Sequence, residues 1–234
     1  MSPSSSLLFP TLSKIFLDLC FPPICAGCQR LGTWLCPDCF SQIEFWFEPI
    51  TLTLPDQHLD EVWTVAKYQG IWQKIIHSYK FTGIRALGRS LARLTYFMYP
   101  HLTADLITAV PLHQRRLLER GFNQSQVLAN HFHNLASIPI IDLLSRTEYL
   151  TPQASVTSRS ERLARIKGNF EIDTVGLIQL SDQANHHPAT HQPITSVILI
   201  DDVITTGATL NEAAKVLRSL NFSRVIGLTL AHGL

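Results

Sequence analysis

One stretch of the chain, residues 197–210, constrains its fold and chemistry more than any other part. Its sequence, VILIDDVITTGATL, opens with four consecutive apolar residues and no polar alternation. That pattern predicts a strand covered on both faces, as in a parallel sheet. Asp201 and Asp202 follow at the carboxyl end of this strand, where open α/β sheets bind ligands. The stretch therefore predicts a ligand site at one edge of a sheet.

Small residues follow the paired acids, and an amphipathic helix is predicted over 210–220. Backbone N–H groups at a helix start converge on an anion, threonine hydroxyls add donors, and a glycine lets the backbone approach closely. We interpret the loop as a phosphate cradle whose acids accept hydrogen bonds from sugar hydroxyls or hold magnesium through water. The alternative, an ordinary buried strand with an acidic approach to a helix, explains neither the paired acids nor the small residues. The cradle residues are Thr205, Thr206, Gly207, Ala208 and Thr209.

Length and charge limit the classes of protein that this chain can belong to. With 234 residues and a formal net charge of +1, it can form one sizeable α/β core and a small accessory unit. The near-neutral balance argues against broad electrostatic binding to nucleic acid. No apolar run reaches membrane-spanning length. The first twenty residues lack a basic start and their apolar part is interrupted, so we expect a short amphipathic helix there and a cytoplasmic protein.

Two CxxC pairs lie close together near the N-terminus, at Cys25, Cys28, Cys36 and Cys39. Each pair can present two thiolates from one tight turn, and two such turns complete a closed tetrahedral site. This spacing predicts structural zinc. Disulfides, expected in a secreted protein, and thioredoxin-like redox chemistry, expected of a lone CxxC, are the alternatives.

The composition divides the chain into an N-terminal unit, 1–50, and a larger unit, 60–234. Between 40 and 60 it turns to proline, threonine, acidic and aromatic residues, which favours a linker. The larger unit alternates strands and helices. Lys80 borders a Phe-Thr-Gly turn, so it is open between a surface and a site position, and Arg218 is expected on the exposed face of the last helix. The predicted strands are 62–68, 105–110 and 139–144, and the predicted helices are 71–81, 85–99 and 124–135.

Three arginines follow the strand predicted over 105–110. They are Arg115, Arg116 and Arg120, and they come just after the sequence Pro-Leu-His at 111–113. Guanidinium groups make bidentate, charge-assisted contacts with phosphate oxygens, so this region suits a diphosphate. A basic helix surface is the simpler alternative.

The strand, paired acids and TTGAT loop closely resemble the phosphoribosyl diphosphate signature of type I phosphoribosyltransferases. Together with AVPLHQRRLLERGFNQS, KYQG, YKFTG and the CAGC and CPDC pairs, they resemble the ComF family of competence-associated proteins. The resemblance implies a Rossmann-like type I phosphoribosyltransferase α/β domain after a zinc-ribbon-like module. It implies catalytic roles for Asp201 and Asp202, which would face the ribose hydroxyls and magnesium, and a 5-phosphate site at Thr205 to Thr209.

Further site residues are implied by the same resemblance. A flexible basic segment would close over the substrate and exclude water. The implied contacts with phosphoribosyl diphosphate are Pro111, Leu112, His113, Arg116, Arg120, Asn123, Gln124 and Val203, and the flexible segment comprises Arg146, Thr147, Gln153, Arg159 and Arg162.

Two functional hypotheses follow. In the first, the chain transfers a phosphoribosyl group from phosphoribosyl diphosphate to an unknown acceptor. In the second, it is a ligand-sensing or scaffold module in DNA uptake, with single-stranded DNA or a DNA-uptake protein as partner; the family resemblance alone supplies this association. The histidines at 186, 187 and 191 lie in a polar segment, 181–195, whose composition favours a mobile loop over a metal site.

Overall fold

The fold is built on a parallel sheet of four strands, in the order β1-β6-β5-β2, with a separate antiparallel pair formed by β3 and β4. The computed structural model describes residues 22–81, 84–146, 168–186 and 193–233. The strands are β1 (Glu61–Lys67), β2 (Leu106–Ala109), β3 (Leu144–Arg146), β4 (Phe170–Ile172), β5 (Ser196–Ile204) and β6 (Arg224–His232). The helices are α1 (Pro37–Phe40), α2 (Gly70–Phe81), α3 (Arg85–Met98), α4 (Gln114–Arg120), α5 (Gln124–Ala136), α6 (Thr174–His186) and α7 (Ala208–Arg218).

The parallel sheet is buried on both faces. In β5, Ile198 and Ile200 belong to a core with residues of α2, α3 and α5, whereas Val197 and Leu199 belong to a second core with α7. All four are fully buried, which confirms the doubly covered strand that the apolar run predicts. The expected parallel α/β sheet is therefore present.

Three predicted elements differ from the structure in detail. The region predicted as a strand over 139–144 makes a single parallel bridge, Ile140 to Ile107, and regular pairing begins only at Leu144. β5 continues to Ile204, so Asp201 and Asp202 lie within its last four residues and not after its end. The helix that follows β5 begins at Ala208, within the cradle and two residues earlier than predicted, because Gly207 supplies the N-cap.

Residues 44–50, in the segment whose composition favours a linker, lie alongside β1. Phe45 forms an antiparallel bridge with Ala66, and the Trp46 N–H donates to the carbonyl of Val65 at 3.0 Å. The Ile50 N–H donates to the carbonyl of Val62 at 2.7 Å. We call residues 44–53 the edge segment. The edge segment is not an unstructured linker, because its backbone pairs with β1 at the outer edge of the sheet.

The exposed position expected for Arg218 is wrong. Its Nε donates to the carbonyl of His58 at 3.1 Å, and its guanidinium lies 2.7 Å from the Asp60 carboxylate. The same side chain donates to the carbonyls of Phe222 and Ser223. Arg218 therefore ties the end of α7 to the start of β1 and to the turn before β6.

Among the described residues, no helix combines the length and apolar character needed to cross a bilayer.

Candidate functional site

The loop between β5 and α7 forms a small concavity at the carboxyl edge of the sheet. Residues 203–210 and Asp201 line it. Gly207 has φ +78°, in the left-handed region that favours glycine, and the N–H of Ala208 lies 3.4 Å from the Thr206 hydroxyl. This geometry directs the first backbone N–H groups of α7 toward the loop, which suits an anion.

The two acids at the end of β5 have different partners. Asp201 Oδ1 accepts hydrogen bonds from the Ser125 hydroxyl at 2.8 Å and from the Asp202 backbone N–H at 2.8 Å. Asp202 Oδ1 lies 2.9 Å from Lys80 Nζ, in an ion pair whose side chains are 16% and 12% exposed for Lys80 and Asp202. The acids thus join β5 to the start of α5 and to the end of α2.

A set of hydrogen bonds fixes the ends of α2 and α5 against each other. The Tyr79 hydroxyl donates to the carbonyl of Gln124 at 2.7 Å, and Gln124 Nε2 donates to the carbonyl of Lys80 at 3.2 Å. Asn123 caps α5 by accepting from the Ser125 N–H at 3.1 Å, and its Nδ2 donates to the carbonyl of Val110 at 3.0 Å. These contacts hold Lys80 and Ser125 in place beside the acids.

A cavity of about 150 Å³ lies beside the cradle and is lined by four cationic side chains. They are Lys80, Arg116, Arg120 and Arg146. Arg120 donates to Gln124 Oε1 at 3.2 Å and its guanidinium lies over the Phe81 ring at 4.9 Å from the centroid. Arg146 lies over the Phe170 ring at 5.2 Å, and its Nε is buried with no partner among the described residues. This cavity, which we call the cationic cavity, suits a polyanion.

Burial changes the pKa values of several site groups. Burial, with the neighbouring charge of Asp202, raises the pKa of Asp201 to about 6, although the Asp202 N–H, the Ser125 hydroxyl and Lys80 oppose the shift. Burial lowers the pKa of Arg120, and the negative charge of Asp202 partly offsets this shift. Burial also lowers the pKa of Arg146. Desolvated cations of this kind gain more from a bound anion than solvated ones do.

Most of the site residues expected from the sequence lie together. The cationic cavity contains Pro111, Leu112, Arg116, Arg120, Asn123, Gln124, Arg146, Asp201, Asp202 and Thr209. Val203 and Thr205 to Ala208 line the adjoining concavity. Arg146 belongs to β3 and not to a separate loop. His113 acts as the N-cap of α4, where it accepts from the Arg115 N–H at 3.2 Å. Thr147, Gln153, Arg159 and Arg162, and the histidines at 187 and 191, lie outside the described residues.

Two site residues have roles that the sequence did not settle. Lys80 was open between surface and site, and it pairs with Asp202. Ser125 belongs to the RGFNQS motif but had no role, and it donates to Asp201. The position of Lys80 beside a turn was the only signal for it, because α2 and β5 are far apart in the chain. Arg115 does not line the cationic cavity; its guanidinium lies 3.5 Å from the Glu119 carboxylate.

The four cysteines form a second candidate site, away from the cradle. Their sulfur atoms all lie within 4.8 Å of one another, and Cys28 Sγ is 3.6 Å from Cys36 Sγ. A tetrahedral ion with metal–sulfur bonds of about 2.3 Å separates its sulfurs by roughly 3.8 Å, so the cluster is positioned to hold a metal ion. Burial opposes ionisation of Cys25, but backbone N–H groups of Cys28, Cys36 and Gly27 outweigh it and lower its pKa to about 6.

Relatives of this chain are competence and DNA-utilization proteins. The chain is 26% identical to competence protein F of Haemophilus influenzae over 213 residues, covering 86% of this chain and 87% of the relative. It is 28% identical to the DNA utilization protein YhgH of Escherichia coli K12 over 206 residues, covering 83% and 82%. It is 28% identical to competence protein ComFC of Bacillus subtilis over 210 residues, covering 88% and 74%.

Two further comparisons are less informative. No family model matches the chain. A crystal structure of adenine phosphoribosyltransferase aligns with 17% identity and a TM-score of 0.29, covering 70% of each chain. That score is too low to define a shared architecture.

Proposed function

We propose, from the premise that this chain is a ComF-family homologue, that it binds phosphoribosyl diphosphate and transfers its phosphoribosyl group to an acceptor. The observation that carries this proposal is the juxtaposition of the small-residue cradle with a cavity lined by four cations. Residues 60–234 would carry this site, and residues 1–50 the four-cysteine module with structural zinc.

The ligand would span both parts of the site. Its 5-phosphate would bind at 205–209, its ribose hydroxyls would lie over Asp201 and Asp202, and its diphosphate would extend toward Arg116, Arg120 and Arg146. Carboxylate oxygens suit magnesium, so the paired acids fit an ion carried by the diphosphate, which would neutralise charge on the leaving group. Lys80 would have to share Asp202 with that ion, because it already forms an ion pair there.

The chemistry would be a displacement at the anomeric carbon. The bond from this carbon to the diphosphate oxygen breaks, and its electron pair leaves with the diphosphate. A lone pair of the acceptor forms the new bond, and the proton displaced from the acceptor passes to solvent. The arginines of the cationic cavity would stabilise the charge that develops on the diphosphate.

A second function is favoured by the contacts of the two acids. Asp201 accepts a hydrogen bond from Ser125, and Asp202 is paired with Lys80, an arrangement that also suits a site that binds without turnover. In that case the chain is a ligand-sensing or scaffold protein. The names of its relatives support a role in competence or DNA use, with single-stranded DNA or DNA-uptake proteins as partners.

Calorimetry with phosphoribosyl diphosphate, with and without magnesium, tests binding. We expect magnesium-dependent binding that is lost in the double variant Asp201→Asn, Asp202→Asn, whose thermal melt stays cooperative. Diphosphate release with a panel of acceptors then separates transferase from sensor. No binding at millimolar concentration would contradict the transferase and the ligand-sensing function and leave only a scaffold or partner-binding role, and binding without release with any acceptor would favour the sensor.

A further inference from the structure

Asp201 and Asp202 differ in the kind of partner that holds each carboxylate. Asp201 Oδ1 accepts hydrogen bonds from two neutral donors, the Ser125 hydroxyl and the Asp202 backbone N–H, both at 2.8 Å. Asp202 Oδ1 faces a charged donor, Lys80 Nζ, at 2.9 Å. Neutral donors orient a carboxylate, whereas an ammonium group also supplies the countercharge that a metal ion would bring. Lys80 therefore takes the place of a cation at Asp202.

Hydrogen bonds other than this ion pair fix the end of α2. The Tyr79 hydroxyl donates to the carbonyl of Gln124 at 2.7 Å, and Gln124 Nε2 donates to the carbonyl of Lys80 at 3.2 Å. Earlier in the same helix, Trp72 Nε1 donates to the carbonyl of Leu230 at 2.8 Å. The ammonium group of Lys80 is therefore not needed to anchor the helix. A partly buried ion pair is also a weak source of net stability, because desolvation of both charges offsets their attraction.

Lys80 also lines the cationic cavity, together with Arg116, Arg120 and Arg146. A flexible stem of methylene groups joins its ammonium group to the fixed backbone, so the group can turn from one partner to another. A diphosphate bound in this cavity would offer it several oxygen acceptors and more negative charge than a single carboxylate carries. Lys80 can therefore contact either Asp202 or a bound diphosphate.

Lys80 and a divalent cation compete for the same carboxylate. Magnesium is bound in proteins through carboxylate oxygens, and the ammonium group of Lys80 lies at hydrogen-bond distance from one oxygen of Asp202. Because the Asp202 side chain is only 12% exposed, water screens the repulsion between two positive groups weakly there. A free divalent ion therefore gains little at the paired acids while Lys80 stays on Asp202.

We propose that Lys80 is a positioning residue that keeps divalent cations away from Asp202 until phosphoribosyl diphosphate binds. This inference rests on the proposed function. Lys80 then turns to the oxygens of the bound diphosphate, which frees Asp202 for the magnesium ion that the diphosphate carries. Metal and diphosphate thus occupy the site together, and the paired acids do not collect divalent ions on their own.

Binding of a divalent ion to the full chain without phosphoribosyl diphosphate tests this role. The probe is Mn²⁺, whose free concentration is measured by electron paramagnetic resonance. We expect the wild type to bind no Mn²⁺ at the paired acids below millimolar concentration, and Lys80→Met to bind it about tenfold or more tightly than the wild type does. Lys80→Arg keeps the positive charge and should behave as the wild type. Lys74→Met, at an exposed position of the same helix, is the matched control and should also match the wild type.

Two further measurements assign the ion to Asp202. The double variant Lys80→Met, Asp202→Asn should lose the Mn²⁺ that the single variant gains, which separates this site from the four cysteines. In equilibrium dialysis with phosphoribosyl diphosphate, the wild type should retain Mn²⁺ and Asp202→Asn should retain much less. Micromolar binding of Mn²⁺ to the wild type alone that Asp202→Asn abolishes would overturn the role of Lys80 without any lysine variant.

Calorimetry with phosphoribosyl diphosphate and magnesium separates this inference from the proposed function. Binding of this ligand to the wild type, together with Mn²⁺ binding that Lys80→Met gains and Lys80→Arg does not, supports both. If the wild type binds phosphoribosyl diphosphate but Lys80→Met binds Mn²⁺ no more tightly than the wild type, the role of Lys80 is wrong and the proposed function stands. If Lys80→Met gains an Asp202-dependent ion but the wild type does not bind phosphoribosyl diphosphate, Lys80 still excludes divalent ions and the proposed function fails.

Discussion

Lys80 Nζ lies 2.9 Å from Asp202 Oδ1, and this ion pair joins the end of α2 to the end of β5. The pair also affects Asp201, because the charge of Lys80 lowers the pKa of that carboxyl against the effects of burial and of Asp202. Lys80 therefore reduces the electrostatic repulsion between the adjacent carboxylates of Asp201 and Asp202.

We expect Lys80→Ala to destabilise the fold by up to about 3 kcal/mol, because it leaves Asp202 partly buried and unpaired. Adding Asp202→Asn should restore most of this loss, since the unpaired charge is then absent. Urea unfolding of the two single variants and the double variant gives the coupling energy. If the stability changes of the two single variants simply add in the double variant, Lys80 and Asp202 have no coupling energy.

Asp201 gives a stability that depends on pH. Its pKa is raised to about 6 in the folded protein from its ordinary value of 3.8, so between these values the folded state retains a proton that the unfolded state releases. The free energy of unfolding therefore falls as pH rises through this window, and the penalty is complete above the folded pKa. Asp201→Asn should be more stable than wild type at pH 7.5 by about 1–3 kcal/mol, with little difference near pH 4. Urea unfolding at the two pH values checks this, and an equal difference at both would contradict it.

Arg120 should contribute directly to binding of phosphoribosyl diphosphate. It lines the cationic cavity and is partly desolvated against Phe81. A lost charge-assisted hydrogen bond is worth roughly 1.5–3 kcal/mol, so Arg120→Ala should weaken binding about tenfold or more. Arg93→Ala, at an exposed position of α3, is a better control than Arg218, whose contacts are structural. Calorimetry compares the variants, and equal affinities would mean that Arg120 makes no contact with the bound ligand.

Gly207→Val should damage both fold and cradle. The residue has φ +78°, and an added Cβ would lie 2.9 Å from Leu52 Cδ1. A β-branched residue in the left-handed region costs about 1–3 kcal/mol, and its side chain would obstruct the approach of a phosphate. Gly207→Asn, which tolerates this backbone conformation better, should be milder in a thermal melt. Equal melting temperatures for the two variants would show that the backbone conformation at position 207 is not the main source of the destabilisation.

The four-cysteine cluster should hold one zinc per chain. Elemental analysis of purified protein measures it, and changing both Cys25 and Cys36 to serine should remove the metal and lower the melting temperature, because two thiolates cannot complete the site. Cys20→Ser, which changes the one cysteine that belongs to neither CxxC pair, is the control and should retain the metal. Zinc that persists in the double variant would mean that other residues bind it.

The parts of the site that the sequence predicted are local in the chain. Asp201, Asp202 and the cradle share one strand and one loop, and the four cysteines share two adjacent turns, so spacing alone brings them together. The Lys80–Asp202 pair and the bond from Ser125 to Asp201 depend on how α2 and α5 pack against the sheet. No periodicity in the sequence carries that information.

Two errors have related causes. Residues 44–50, EFWFEPI, pair with β1 through scattered backbone hydrogen bonds, and their sequence shows no polar–apolar alternation of the kind that predicts a strand. Arg218 lies in the last turn of an amphipathic helix, and helical periodicity predicts that this position is on the polar face. Periodicity does not predict that the carbonyls of His58 and Ser223 lie close enough to accept hydrogen bonds from Arg218. In both cases the observed position depends on hydrogen bonds with backbone groups that are distant in the sequence.

The backbone pairing of Phe45, Trp46 and Ile50 with β1 has a consequence for any shortened form of the protein. β1 is one of the two outer strands of the parallel sheet, so a chain that began after the edge segment would present the free N–H and carbonyl groups of Glu61–Lys67 to other molecules. Uncovered strands of this kind recruit one another into aggregates. The edge segment thus covers a strand edge that would otherwise be open to pairing with another chain.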